Sequence, residues 1–250
     1  VMSECSEDLK DLIVHASALL INIGTLTPDK VSYYKEAIAL AKKHEVPIVL
    51  DPVGCHAGAY RLSVVLDLIK TGAISLLRGN QSEIKAIYDA LISNNEAYTS
   101  TTGKGVDGGQ VEDSAVIVYR LARLINCPVV ATGEEDYISD GTRVFAVPHG
   151  HSIMTAVTGT GCLLGAVLAA FFSAYYPCKN RLSIGEFLAY ALAYYGLAGE
   201  SAVQVSGIKP GSFSVAFMDS LYTLDDAVLI SENRIRPVVV PDQLQVYFIS

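Results

Sequence analysis

The sequence has no run of Lys or Arg dense enough to neutralise a phosphate backbone, and its formal charge is -8 from 18 basic and 26 acidic residues. Nucleic acid is therefore not an expected partner. Cys5, Cys55, Cys127, Cys162 and Cys178 include no C-x-x-C pair, which argues against a disulfide framework and a zinc knuckle. Reduced thiols in a cytosol fit best, and a cytoplasmic protein is the expectation. No charged n-region or apolar h-region opens the chain, so no signal peptide is expected, and VMSEC does not read as a natural start. No G-x-S-x-G nucleophile elbow is present. Charge is missing altogether from residues 156–178, which raises the question of a membrane span. Glycines 159 and 161 delay the helix there. Residues 162–176 then rise about 22 Å at 1.5 Å per residue, short of a roughly 30 Å hydrocarbon slab. A buried core helix is the expectation, and no membrane partner.

What is present is 51% apolar residues in 250, enough for one substantial core, so a single domain over 1–250 is expected. Short apolar, β-branched runs alternate with helical patterns. ALLINI (18–23), PIVLD (47–51), AISLL (73–77) and PVVAT (128–132) read as buried strands. Helices are expected from Thr27–Pro28, near 61–70, near 81–92 and near 113–125, with Thr27 as N-cap and Pro28 at the first helical position. Such alternation predicts an α/β fold with a mostly parallel sheet covered on both faces. Beyond it, DYISD and TRVFAV read as a hairpin, and the remainder as helical, with long patterns near 161–175 and 183–204. A polar loop is expected over 93–110.

In open parallel sheets the working site lies at the carboxyl ends of the strands. That rule selects Asn22 to Thr25, Asp51 to Gly54, Arg78 to Glu83, and Thr132 with Gly133. Asp51 ends an apolar strand, so its charge must be solvated, paired or functional. Arg78 ends the next, and can pair with Asp51 or present its fork to phosphate oxygens. Glu83 lies in a first helical turn, where it complements the dipole or joins Asp51 in holding Mg²⁺. In TGTGC (158–162), glycines before a long helix make a candidate anion hole of Gly159, Thr160, Gly161 and Cys162. A plain helix cap explains the same residues. Cys162, at the positive end of that helix, reads as base, nucleophile or small packing residue. His149 and His151, and Cys55 with His56, read first as structural. Neither common Gly-rich phosphate loop is present: Leu164 occupies the third Gly position of G-x-G-x-x-G, and GKG (103–105) lacks the rest of the Walker pattern.

NIGTL (22–26), DPVG (51–54), AYR (59–61), RGNQSEI (78–84), GVDGG (105–109), ATGEEDYISDG (131–141), TGTGC and PGSF (210–213), in this order over nearly the whole chain, resemble the hydroxyethylthiazole kinase family of thiamine biosynthesis and salvage. The resemblance implies a three-layer ribokinase-like fold and transfer of the ATP γ-phosphate to the alcohol of 4-methyl-5-(2-hydroxyethyl)thiazole. It implies ATP contacts at Arg78, Asn80 and Thr132, and an Mg²⁺-phosphate environment at Asp51 and Glu83. It places the anion hole and one wall of the substrate site at Gly159, Cys162 where related kinases carry an Asp base, and Met2 in the substrate pocket. It also implies a homotrimer with sites between subunits. Against the family's pattern, about forty N-terminal residues are absent, and Cys55 and His56 replace small residues in the turn after DPVG. Two readings stand beside it: another ribokinase-like vitamin kinase, acting on hydroxymethylpyrimidine, and a truncated nucleotide-binding module.

Overall fold

The computed structural model describes residues 5–93, 113–175 and 181–241. Helix α1 (Ser6–Ile13) leads into β1 (Leu19–Asn22), α2 (Pro28–Lys43), β2 (Ile48–Asp51), α3 (Ala59–Ile69), β3 (Leu76–Asn80), α4 (Gln81–Ser93), α5 (Ser114–Ile125) and β4 (Val129–Thr132). Strands β5 (Asp136–Ser139) and β6 (Val144–Val147) form the expected hairpin. Helices α6 (Thr160–Ala174), α7 (Ile184–Ser206), α8 (Pro210–Thr223) and α9 (Asp226–Ser231) follow, and β7 (Arg236–Val238) closes the order.

The strands form one seven-stranded sheet in sequence order, with β1 to β4 parallel and β5 to β7 antiparallel. Crossovers of one hand that all step in one direction put their helices on one face. Residues of α2 to α5 accordingly share a core layer that includes Ile38, Leu68, Ile87 and Leu121, while Leu168, Leu192 and Phe213 of α6, α7 and α8 fill the opposite layer.

Strand alternation then sorts every side chain. Ile48 and Leu50 enter the first layer and Val49 the second; Leu77 and Val129 enter the first, Leu76 and Val130 the second. Carried to the strand ends, the same alternation aims Asn22, Asp51, Arg78 and Thr132 at the α6 side. All four lie at the carboxyl edge because β1 to β4 run parallel.

Three expectations are corrected. The third strand runs over Leu76–Asn80 rather than 73–77, because the ladder to Val129–Thr132 carries it through Arg78, Gly79 and Asn80 despite their low strand preference. The chain after β6 is not all helical: β7 pairs with β6, and Pro237 is tolerated because β7 is an edge strand. The apolar helix after TGTGC is buried on one side only; Leu164, Leu168 and Ala169 face the sheet, while Cys162, Ala166 and Ala170 are exposed. The polar loop read at 93–110 lies, after Ser93, outside the described residues.

Candidate active site

Asp51 is wholly buried at the end of β2. Its Oδ2 accepts Asn22 Nδ2 at 2.9 Å and Arg78 Nη1 at 3.3 Å, while Asn22 Oδ1 accepts the Gly24 N–H at 2.9 Å and so turns the chain after β1. Arg78 Nη2 reaches Thr132 Oγ1 at 3.2 Å, and that hydroxyl faces the Gly79 carbonyl at 3.4 Å. The four strand ends are thus joined by one polar chain. A buried pair gives back much of its Coulomb energy as desolvation, so its presence is poor evidence for stability alone. Burial in fact pushes the Asp51 carboxyl up to about 6; Arg78 opposes the rise and Glu83 adds to it. Asp51 Oδ1 and Arg78 Nε are buried without hydrogen-bond partners. Unpaired polar atoms on both members of an ion pair point to a ligand that completes them.

Glu83 has a different task. Asn80 caps α4, its Oδ1 accepting the Glu83 N–H at 2.8 Å while Glu83 Oε2 accepts the Asn80 N–H at 2.8 Å, the reciprocal pattern of a capping box. The other oxygen, Oε1, accepts the Gly54 N–H at 2.7 Å. One carboxylate therefore ties the turn after β2 to the start of α4. Gly54 sits at φ +70°, a left-handed conformation that glycine adopts without strain. Gly79 leaves room for the carboxylate, since a Cβ there would lie 3.1 Å from Glu83 Oε2.

Opposite Arg78 lies the start of α6. Gly159 is its N-cap at φ +98° and supplies no side-chain cap, so the first-turn N–H groups of Gly161 and Cys162 have no helical carbonyl to meet. A Cβ on Gly161 would stand 3.6 Å from Arg78 Nη2, which puts the guanidinium directly beneath that turn. Gly165 lets the helix approach Asp51, 3.4 Å from where its Cβ would be. Thr160 differs from its neighbours. Its N–H is directed at the Val157 carbonyl at 3.4 Å, and its hydroxyl donates to the Met154 carbonyl at 2.7 Å. Positive helix end, guanidinium and an open carboxylate oxygen converge on one place, an arrangement suited to a transferring phosphoryl group and a divalent cation.

Other candidates do not join this cluster. His149 is 8% exposed, with Nε2 3.1 Å from the Glu232 carbonyl and 3.3 Å from the Arg234 N–H, and His151 Nδ1 accepts the Ile153 N–H at 3.2 Å. Both bind backbone. Cys55 is buried and its thiol is pushed up to about 12 by burial, so it stays neutral. Met2 lies outside the described residues. Among the described residues, no group of three or more His, Cys, Asp or Glu side chains is placed to hold a metal ion. Arg61 was missed as a functional residue in the sequence: Nη1 donates to the Ile23 and Val53 carbonyls at 2.9 and 3.1 Å, and Nη2 to the Gly24 carbonyl at 3.1 Å. It clamps the turns after β1 and β2 together. Its sequence signals are its place in the AYR motif and a cation in the first turn of a helix that follows two strand ends.

Comparison with known proteins gives the family. A model described as the Hydroxyethylthiazole kinase family matches residues 1–227. The chain belongs to the hydroxyethylthiazole kinase family. A hydroxyethylthiazole kinase of Streptococcus agalactiae serotype Ia is 46% identical over 232 residues, covering 92% of this chain and 86% of the relative. One from Streptococcus suis is 41% identical over 233 residues, covering 93% and 84%. The solved hydroxyethylthiazole kinase of Pyrococcus horikoshii superposes with TM-score 0.80 at 33% identity, covering 96% of this chain and 84% of that one. A ribokinase-like protein of Enterococcus faecalis, at TM-score 0.56 and 16% identity, shares the fold. Within the hydroxyethylthiazole kinase family, then, this chain has a ribokinase-like sheet and presents its polar cluster at the carboxyl edge.

Proposed function

We propose that the chain transfers the γ-phosphoryl group of ATP to the hydroxyl of 4-methyl-5-(2-hydroxyethyl)thiazole, as a single domain of the cytoplasm. The observation that carries the reading is the buried Asp51–Arg78 pair, 3.3 Å apart, lying under the uncapped start of α6 with an oxygen and a nitrogen left over. Phosphoryl transfer asks mainly for positioning and charge stabilisation, and little covalent chemistry. Arg78 neutralises phosphate oxygens, with Thr132 and Asn80 beside it on the nucleotide. The N–H groups of Gly159, Gly161 and Cys162 hold the transferring group. Mg²⁺ would take the unpartnered Asp51 Oδ1 as its one direct protein oxygen, beside phosphate oxygens and water, with Glu83 behind it and reached through water. Bound there, the ion supplies charge neutralisation between phosphates. Gly159 lines the thiazole side.

Cys162 is exposed at the first turn and, as a thiolate, takes the alcohol proton while the alcohol oxygen bonds to the γ-phosphorus and the phosphorus–oxygen bond to ADP breaks. A loose transition state needs little early proton removal, so a thiolate is a sufficient base. Cys162→Asp is expected to keep or raise kcat, and Cys162→Ala to lower it by about 10–100-fold, within the range of general-base effects. An unchanged Cys162→Ala rate would remove the thiol from the mechanism. The reading itself is tested by ADP release with the thiazole alcohol, with hydroxymethylpyrimidine, and with neither. Only thiazole-dependent release supports it.

A homotrimer belongs to the same proposal. Val215, Met218 and Tyr222 stand at helical spacing as an exposed apolar stripe on α8, at 66, 54 and 91%, and Val205 and Ile208 are exposed just before that helix. An exposed apolar helix face of this kind supports association with other copies. Light scattering is expected to give three times the chain mass; a monomer would count against it. Among the described residues no helix is long and apolar enough to cross a membrane.

A further inference from the structure

Tyr195 of α7 is 4% exposed, and its ring stands edge-on to Phe217 at 5.0 Å, while Phe217 stacks on Phe213 at 5.4 Å. A ring gripped from α8 in this way has little freedom to swing. Its hydroxyl donates to the Thr160 carbonyl at 2.5 Å. That carbonyl and the Gly161 N–H belong to one planar peptide unit, and in a trans peptide they point in opposite directions. Fixing the C=O therefore fixes the N–H. We propose that Tyr195 is a positioning residue for phosphoryl transfer, aiming the Gly161 N–H at the transferring group through the Thr160–Gly161 peptide.

Three further features agree. The Thr160 hydroxyl anchors the same residue from the other side, on the Met154 and Val157 carbonyls at 2.7 and 3.0 Å. Arg78 lies beneath Gly161, so the aimed N–H and the guanidinium address one region. A donor at a carbonyl also polarises the peptide and leaves its N–H a stronger donor. Burial pushes the Tyr195 hydroxyl up, away from ionisation, so it remains a donor throughout the working pH range. Tyr195 reaches Gly161 through the peptide of Thr160, and its role is separate from the base assigned to Cys162.

The inference rests on the kinase reading above. Tyr195→Phe keeps the ring against Phe217 and deletes only the hydroxyl. It is expected to lower kcat about tenfold while KM for ATP and for the thiazole alcohol stays within twofold, with the pH profile unmoved. Affinity for ADP with aluminium fluoride, a mimic of the transferring group, should fall by the same factor, and affinity for a non-hydrolysable ATP analogue should not. A variant with wild-type kcat overturns the inference and leaves the kinase reading standing. So does a loss shared equally by kcat, both KM values and the melting temperature, which would mark a purely structural hydroxyl. A wild-type chain inert toward the thiazole alcohol overturns the kinase reading and the inference together.

Discussion

Arg78→Met is expected to lower kcat/KM for thiazole phosphorylation by about 10³-fold, the scale lost with a single preorganised donor or arginine in such sites. The guanidinium is 6% exposed and spans two partners, Asp51 at 3.3 Å and Thr132 at 3.2 Å, while facing the turn that carries Gly161. Methionine fills most of the volume and supplies none of the charge. Arg78→Lys should fall between the two, because an ammonium keeps the charge but cannot fork to both partners. A kcat/KM within tenfold of wild type would show that Arg78 does not address phosphate.

Stability separates the structural part of that loss. The folded Asp51 carboxyl sits at about 6 against 3.8 without burial, so its folded pKa is raised. A raised group contributes stability that is whole below the unfolded value and is lost as pH climbs through the folded one. The wild type therefore loses this contribution between pH 3.8 and about 6 and is flat above. Arg78 holds the carboxyl down, so removing it moves the folded value higher and prolongs the loss through neutral pH. Urea unfolding of Arg78→Met should show a small deficit at pH 5 and a larger one at pH 8, toward the roughly 3–5 kcal/mol of an orphaned buried charge. Equal deficits at both values would mean that Asp51 does not depend on its partner.

The strand-end rule found Asn22, Asp51, Arg78 and Thr132 because a parallel sheet places carboxyl ends together whatever the helices do. Which face they share was not legible, because strands apolar on both sides show no alternation; the two core layers reveal it. The motif order carried the family, and with it the fold. What stayed hidden came from contacts across large sequence separations. Arg61 meets carbonyls at Ile23 and Gly24, and Tyr195 meets Thr160 from the next helix, 35 residues along the chain. No local pattern encodes such pairs. The third strand was displaced for a related reason: Arg78, Gly79 and Asn80 resemble a loop until β4 offers them a ladder. β7 is three residues with a proline, and pairing alone makes it a strand. The small stripe of Cys162, Ala166 and Ala170 read as core because apolar content does not reveal which side lacks a neighbour.

Glu83 offers the second large effect and decides what its carboxylate is for. Glu83→Ala removes the acceptor from two backbone donors, Gly54 N–H at 2.7 Å and Asn80 N–H at 2.8 Å, at a residue 6% exposed. Hydrogen bonds to a charged group contribute about 1.5–3 kcal/mol each, so a loss of about 3–6 kcal/mol in urea unfolding is expected. Glu83→Gln keeps one acceptor oxygen and replaces the other with a donor, so about half that loss should appear. The functional loss follows from geometry, since Gly54 closes the turn that begins at Asp51 and a loosened turn lets that carboxylate drift. Both variants should show a fall in kcat that raising Mg²⁺ does not reverse. If Glu83 instead gave an oxygen directly to the ion, Glu83→Gln would raise the Mg²⁺ concentration needed for half-maximal rate and recover near-full kcat in excess Mg²⁺. With both oxygens engaged by backbone N–H groups, the geometry favours the unrescued outcome, in which Glu83 serves the cation by holding Asp51 in place.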